Sequence, residues 1–574
     1  MEEIKKMLSI KIKEALKNIY DIDMNEEDIF KMLESPKEKA NGDIAFPCFR
    51  FAGIFHKAPN VISKELSEKI DINGLKIEKL EVVNAYINFF VESKGFALDV
   101  LDEIISKKEK YGFTNIGNGE TVLTDYSSPN IAKPFHLGHL RTTIIGRALT
   151  NLYRELGYNV ISINYLGDWG RQFGLVIEGY KRFKDEYDLE KDPLHSLSDM
   201  YARANSLAKE DEKVMDLARE NFKKLEDGDK EALELWQYFK DISLKEYYRI
   251  YDLMGCSFDV YTGESEFSKE EKVNEVIDIL NEKNALVESQ GARVVMMGEN
   301  NPPCIIVKSN ESTTYALRDL ASILWRARNY DYVKSIYVTS YEQILHFKQV
   351  FKVAEYLVDE KYTKGLVHVP YGMVRLKTGK MSTREGTVIY LQDLINDAVE
   401  KSMKILDEKG TEVENKENLA KQIGIGALVF NDLKHNKIKD VVFDLNEVLR
   451  FDGETGPYVQ YMYARICSII KKANIDVENI KDSDYKYNDA ESELVKLLAK
   501  LPKAIVDAGE SYEPSILTRY IIDVASAFST FYNSNTVLSD DESTKNARLK
   551  LVYATSIVIK KGLNILGIET PEKM

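Results

Sequence analysis

DYSSPNIAKPFHLGHLR, residues 125–141, is a corner: a strand runs into it and a helix runs out of it. TVLTDY, residues 121–126, reads as the strand. Pro129 and Pro134 keep residues 127–134 from continuing as strand or helix. Beyond them, Leu140, Ile144, Ile145, Ala148, Leu149, Leu152 and Leu156 share one helical face, and Gly157 ends the helix. NVISINY follows as a second strand. Strand, helix, strand is the βαβ unit, which predicts a parallel sheet whose ligands gather beyond the carboxyl ends of its strands. Residues 125–139 lie at one such end, and LGDWGRQFG, residues 166–174, at the next.

Outward from this unit the chain is long enough, at 574 residues, for several domains. GNGE, residues 117–120, is a turn signal and sets a first boundary. Residues 1–116 mix helical patterns with KLEVVNAYINFFVES, which alternates as strands do. Residues 117–405 carry the sheet pattern, which returns at SIYVTS (335–340) and LVHVPYGMVRL (366–376). A charged, helical stretch at about 185–300, ending in the strand-like ARVVMMG, reads as an insertion. Residues 406–574 are almost wholly helical in pattern. The expectation is a multidomain α/β protein: an α+β N-terminal domain, a parallel-sheet domain with an insertion, and a C-terminal all-α bundle.

Composition narrows the class of protein. Hydrophobic residues make up 44% and charged residues 30%, a mix that builds sizeable cores, and no run of eighteen apolar residues predicts a spanning helix. MEEIKKMLSIKIKEALKNIY has charges throughout and is no secretory signal. Cys48, Cys256, Cys304 and Cys467 are scattered, without zinc-site spacing, which suits packing in a reducing cytoplasm. A net charge of −15 argues mildly against nucleic acid, although a local basic face is all that binding needs.

Two pieces carry chemistry. In HLGH, two of the seven histidines flank Gly138 at the start of a helix. Gly138 allows close approach to the backbone, and the helix N-terminus and neutral His136 and His139 favour phosphate oxygens. A metal site is not expected, since no third ligand stands near. In GKMSTREG, residues 379–386, Lys380 and Arg384 sit in a glycine-flanked loop able to close over a polyphosphate. The bland readings are chance or core packing for the first and a solvated basic turn for the second.

Together HLGH and KMSTR resemble the HIGH and KMSKS signatures of class I aminoacyl-tRNA synthetases, in the same order. The flanks, SSPNIAKPFHLGHLRTTIIG, LGDWGRQFG, YALRDLA and ETGPYVQYMYAR, resemble the arginyl-tRNA synthetases, as do GDIAFPCFRFA near the N-terminus and ARLKLVYATSIVIKKGLNILGI near the C-terminus. The resemblance implies a Rossmann-like catalytic domain at 117–405, an N-terminal domain at 1–116 that contacts the tRNA elbow, and an anticodon-binding bundle at 406–574. It implies a cytoplasmic ligase, mostly monomeric in the family, acting on L-arginine, ATP with Mg2+ and tRNA(Arg), with no tightly bound metal and no membrane partner.

By the same resemblance, His136, Gly138, His139, Lys380, Met381 and Ser382 contact ATP, and Asp125, Ser128, Asn130, Tyr315, Asp319 and Gln343 form the arginine pocket. The residues suit that reading, because carboxylates match a guanidinium best. Tyr315 and Asp319 are four apart on a predicted helix, opposite a face of Leu317, Leu320 and Leu324. Surface ion pairing for Asp319 and a turn cap for Asp125 are the bland alternatives. The second lysine of KMSKS is Thr383 here, and Lys133 is the candidate replacement cation. KHNKIKD, residues 434–440, and Tyr458, Tyr461 and Tyr463 would touch RNA, or be solvated lysines and core tyrosines. The other readings are a class I synthetase of different specificity and a non-catalytic, synthetase-derived RNA-binding protein. Small nucleotidyltransferases share the HIGH corner but lack the helical C-terminal part. Neither the anticodon bases read nor the role of 185–300 follows from the sequence.

Overall fold

A computed structural model of the chain describes residues 1–36, 38–298, 301–309, 313–376, 379–380, 390–480 and 485–574. The strands β1 (Thr121–Asp125), β2 (Asn159–Leu166), β3 (Val260–Gly263), β4 (Tyr332–Ser340) and β5 (Leu366–Tyr371) form one sheet in the order β5-β4-β1-β2-β3. Every pairing in it is parallel. The chain grows from β1 through β2 to β3 on one side and then returns to β4 on the other. That reversal makes a switch point between β1 and β4, where such sheets open a crevice at their carboxyl ends. Asp125 pairs with Tyr337 at this point.

Two of these strands, β1 and β2, flank the predicted helix α1 (Leu137–Glu155). The apolar face expected for α1 is buried, but so are Arg141, Thr142, Thr143, Arg147 and Thr150. The helix is enclosed on its polar side as well, and the polar groups find partners there. Thr142 donates to the Val338 carbonyl at 2.9 Å, and Arg147 Nη2 donates to the Gly567 carbonyl at 2.8 Å. β3 falls inside the stretch read as an insertion. It is four residues long at the sheet edge and mostly half-buried, too short to show a period.

Three further helices matter for the site: α2 (Lys230–Leu253), α3 (Tyr315–Asn329) and α4 (Ile344–Ala354). Leu317, Leu320 and Leu324 of α3 pack into a core with Phe347 and Val350 of α4 and Tyr337 of β4. This seating turns Tyr315, which is 63% exposed, and half-buried Asp319 away from the core.

The chain divides into two compact units. One comprises residues 112–464, 503–522 and 562–574, and holds the five-stranded sheet. The other comprises residues 1–111, 465–502 and 523–561. In the latter, the apolar face of the helix Glu2–Tyr20 buries Ile4, Leu8, Ile12, Ala15 and Leu16 and leaves Ile19 half-buried. KLEVVNAYINFFVES forms the strands Ile77–Val83 and Tyr86–Val91, antiparallel to each other and joined by Ile44–Pro47. Distant parts of the sequence meet inside this unit: Lys550 pairs with Asp102 at 2.6 Å, and the Tyr111 hydroxyl donates to the Leu498 carbonyl at 3.1 Å.

Candidate active site

The corner after β1 is held in an unusual backbone shape. Ser127, Ser128 and Ala132 adopt positive φ values of 71°, 47° and 61°, each costing about 1–3 kcal/mol for a residue with a side chain. Such a turn persists only where its surroundings fix it, and the main brace is α2, from the stretch read as an insertion. The Tyr247 hydroxyl lies 2.7 Å from the Asn130 carbonyl and 2.8 Å from that of Lys133. Ser243 Oγ accepts from the Ala132 amide at 2.9 Å. The Tyr251 hydroxyl meets Ser127 Oγ at 2.7 Å and receives a hydrogen bond from Asn164 at 2.8 Å. These three residues were not anticipated. Their signal is present nonetheless, as hydroxyl side chains at spacings of four along one helix.

LGDWGRQFG supplies the other wall. Residues 129–131 bridge to Gly167, whose amide donates to the Pro129 carbonyl at 3.0 Å and whose carbonyl accepts from Ile131 at 3.2 Å. A Cβ on Gly167 would lie 2.0 Å from Asn130 Oδ1, so a side chain there would push the exposed Asn130 amide from its present place at the corner. Asp168 is wholly buried and accepts from the Ser265 amide, from Ser265 Oγ and from Lys240.

The two histidines cap α1 reciprocally. His136 Nδ1 accepts from the Gly138 amide, and His139 Nδ1 accepts from the His136 amide, each at 3.1 Å. A backbone amide can only donate, so both Nδ1 atoms are unprotonated and each neutral ring carries its proton on Nε2. Burial, and then Lys133, push His136 down to about 4. Burial, His136 and Lys133 push His139 down as well. At neutral pH the corner therefore presents two Nε2–H donors at a helix N-terminus. Gly138 has a more local reason than ligand approach: a Cβ there would lie 2.9 Å from His136 Cε1 and 3.0 Å from Nδ1, displacing the cap. Lys133 stands half-buried over the Tyr201 ring, 5.5 Å from its centroid, with no ion pair among the described residues. Burial lowers its pKa.

The strand pair Val374–Leu376 and Gly379–Lys380 leads into the GKMSTREG segment, and Tyr390 beyond it bridges back to His136. Met381, Ser382 and the side chain of Lys380 lie outside the described residues. Arg141 anchors the same region to α1, donating to the carbonyls of Met373 at 3.3 Å and Lys437 at 3.1 Å, with Asp432 at 3.4 Å.

On the other side of the switch point stand the acids. Asp125 is buried, accepts from Ser128 Oγ at 3.1 Å and pairs with buried Arg326 at 2.5 Å. Its pKa is raised, because burial outweighs Arg326. Asp319 meets His346 Nε2 at 2.6 Å. Gln343 is exposed in the turn after β4. Glu264 pairs with Arg318 at 3.4 Å, and burial pushes its carboxyl up to about 8. Thus Asp125, Ser128 and Asn130 share the corner and Tyr315, Asp319 and Gln343 share the α3–α4 side, while Arg326 and His346 are partners that the sequence reading did not name. Among the residues considered for RNA contact, Tyr463 is buried, Lys437 pairs with Glu513 and Lys434 donates to the Glu454 carbonyl.

A corner of paired, neutral histidines at the helix start beyond the central strand of such a sheet fits a class I aminoacyl-tRNA synthetase, and residues 100–445 match the catalytic domain of the class I (R) tRNA synthetases. Residues 459–574 match the DALR anticodon binding domain, and residues 6–91 the arginyl-tRNA synthetase N-terminal domain. The arginine–tRNA ligase of Clostridium perfringens is 46% identical over 575 residues, covering 100% of both chains. That of Clostridium botulinum, strain Langeland, is 49% identical over 550 residues, covering 95% of this chain and 96% of the relative. In fold, the chain is similar to the arginyl-tRNA synthetases of Thermus thermophilus (TM-score 0.83, 22% identity, 99% and 100% coverage) and Plasmodium falciparum (TM-score 0.80, 24% identity, 100% and 99% coverage). The chain belongs to the arginyl-tRNA synthetase family and is an ATP-dependent ligase.

Proposed function

We propose that this chain activates L-arginine with ATP and transfers it to the terminal adenosine of tRNA(Arg), working as a cytoplasmic monomer. The observation that carries the residue assignment is the histidine pair, with both Nδ1 atoms occupied by backbone amides and both Nε2–H donors left for phosphate oxygens. ATP, carrying Mg2+ on its phosphates, lies across the corner at His136, Gly138 and His139. Lys380, Met381 and Ser382 also contact it. The substrate's carboxylate attacks the α-phosphorus in line, an O–P bond forms, and the bond to the β-phosphate oxygen breaks as pyrophosphate leaves. No general base is needed, because the carboxylate is already ionised, so alignment and charge stabilisation do the work. Lys133, half-buried and without an ion pair among the described residues, adds positive charge beside the histidines. Lys380 follows the departing pyrophosphate.

The substrate's amino and carboxylate ends are held by Ser128 and Asn130, and its guanidinium by Asp125, Tyr315, Asp319 and Gln343. The 2′-hydroxyl of the terminal adenosine then takes the acyl group and AMP leaves. Residues 1–116 serve the tRNA elbow, 117–405 the chemistry and 406–574 the anticodon.

The test is pyrophosphate exchange into ATP with each amino acid, with and without total tRNA. Exchange that depends on arginine in the presence of tRNA is expected, and its absence refutes the proposal. Asp319→Asn weakens one charge-assisted contact by about 1.5–3 kcal/mol, so the arginine KM rises by roughly 10- to 100-fold. Unchanged arginine kinetics remove Asp319 from the pocket.

A further inference from the structure

We infer that His346 is a positioning residue for amino-acid specificity, fixing the Asp319 carboxylate so that one of its oxygens stays open to the substrate guanidinium. The inference rests on the proposed role of Asp319. His346 Nε2 lies 2.6 Å from Asp319 Oδ2, and both side chains are about three-quarters buried. No other hydrogen bond reaches the Asp319 carboxylate among the described residues. An ionised carboxylate only accepts, so the imidazole is the donor and Nε2 carries the proton.

The placement on the two helices makes this more than a chance pair. Asp319 is one turn after Tyr315 on α3, and His346 is in the first turn of α4, three residues after its capping residue Gln343. The contact therefore ties together the two helices that bear the outer half of the pocket. The ring is itself held. It meets Phe347 edge-on, with centroids 5.3 Å apart at 81°. Phe347 is buried and stacks on His368 at 4.6 Å, and His368 Nε2 meets Thr339 Oγ1 of β4 at 2.8 Å. Support runs from the central sheet to one oxygen of one carboxylate. A part-buried carboxylate on a helix face still has several rotamers open to it, and sites of this kind work best when a supporting side chain locks one of them. An arginine or lysine would lock it too, but with a permanent charge that competes with the substrate's own cation. An imidazole gives the direction without a permanent charge.

The test is steady-state aminoacylation by the full chain, with arginine and ATP titrated separately, for His346→Ala, His346→Gln, Asp319→Asn and the double variant H346A/D319N. Glutamine places an amide N–H where Nε2 stood, and asparagine does not. His346→Ala is expected to raise the arginine KM about tenfold, the scale of one hydrogen bond to a charged group, with kcat and the ATP KM within about twofold. His346→Gln is expected to restore most of the loss, and His346→Ala is expected to add nothing on top of Asp319→Asn. If Asp319→Asn raises the arginine KM while His346→Ala leaves it unchanged, the role of His346 is overturned and the pocket stands. If Asp319→Asn itself has no effect, the pocket reading falls and the inference with it. Equal losses in the alanine and glutamine variants would mark His346 as merely structural and overturn the proposal. Should the alanine variant fail to fold, His346→Gln against His346→Asn gives the same contrast, with the asparagine variant expected to lose arginine affinity and the glutamine variant to keep it.

Discussion

Removing a single oxygen atom, by Tyr247→Phe, tests whether α2 is part of the catalytic machinery or only its neighbour. The tyrosine hydroxyl is within 2.7 and 2.8 Å of two carbonyls, those of Asn130 and Lys133, and has one proton to give between them. Phenylalanine keeps the ring and its edge contact with Phe135, 4.8 Å between centroids, so packing changes little. What is lost is one hydrogen bond at a part-buried carbonyl, about 1–3 kcal/mol. The turn it braces contains left-handed Ser127, Ser128 and Ala132, whose strain of about 1–3 kcal/mol each already favours relaxation. Without the brace, Asn130 and Lys133 drift together, one on the proposed amino-acid side and one on the proposed phosphate side. Because about 1.4 kcal/mol is tenfold, kcat/KM for arginine in tRNA-dependent pyrophosphate exchange is expected to fall about 10- to 100-fold. In a unit this large the same energy moves Tm by no more than about 2–4 °C per kcal/mol. A variant that melts as the wild type does, with kcat/KM within twofold of it, would refute the brace.

Gly138→Ala places a Cβ against the His136 ring and uncouples the histidine cap; kcat is expected to fall at least tenfold, by loss of one aligned donor, with the arginine KM little changed, as steady-state kinetics would register. His136 should also shape acid stability. Its pKa falls from an ordinary 6.5 to about 4 on folding, so between these values the unfolded chain binds more protons and the folded form loses stability as pH drops. Urea unfolding should therefore show a smaller gap between neutral and mildly acidic midpoints for His136→Gln than for the wild type, and identical gaps would show that the ring is not held neutral.

Much of this was legible in the sequence because the corner is local. A strand, two prolines, a glycine-bearing HLGH and a periodic helix fix β1, the turn and α1 within some thirty residues. Tyr315 and Asp319 could be assigned to one face because helical spacing and the leucines opposite them leave no other arrangement. What escaped notice is long-range. Arg326 reaches Asp125 across 201 positions, and Tyr247 reaches Lys133 across 114. No local period encodes such pairs. β3 escaped for another reason: a four-residue edge strand carries too few residues to alternate. The enclosure of α1 on its polar face was hidden because Thr142, Arg141 and Arg147 look like solvent-facing residues until the segments that cover them are in place.

The two acids proposed to read the guanidinium are not equivalent, and the difference lies in their resident partners. Asp125 sits against Arg326, both almost fully buried, so a permanent positive charge already answers it. A second guanidinium brought to that oxygen pair gains only what Arg326 leaves. Asp319 has an imidazole instead, and its other oxygen has no partner among the described residues. Two unit charges 4 Å apart interact by about 4 kcal/mol at an effective dielectric constant near 20, before desolvation is charged against them. That attraction is available to a cationic side chain at Asp319 and largely cancelled at Asp125. On this reading Asp125 contributes less to the guanidinium and also shapes the corner, holding Ser128 at the end of β1, while discrimination between a guanidinium and a neutral group of the same shape rests chiefly on Asp319. A specificity that depends on one carboxylate depends on its direction as much as its charge. That gives a histidine bonded to that carboxylate, and supported from the central sheet, a physical reason to be there.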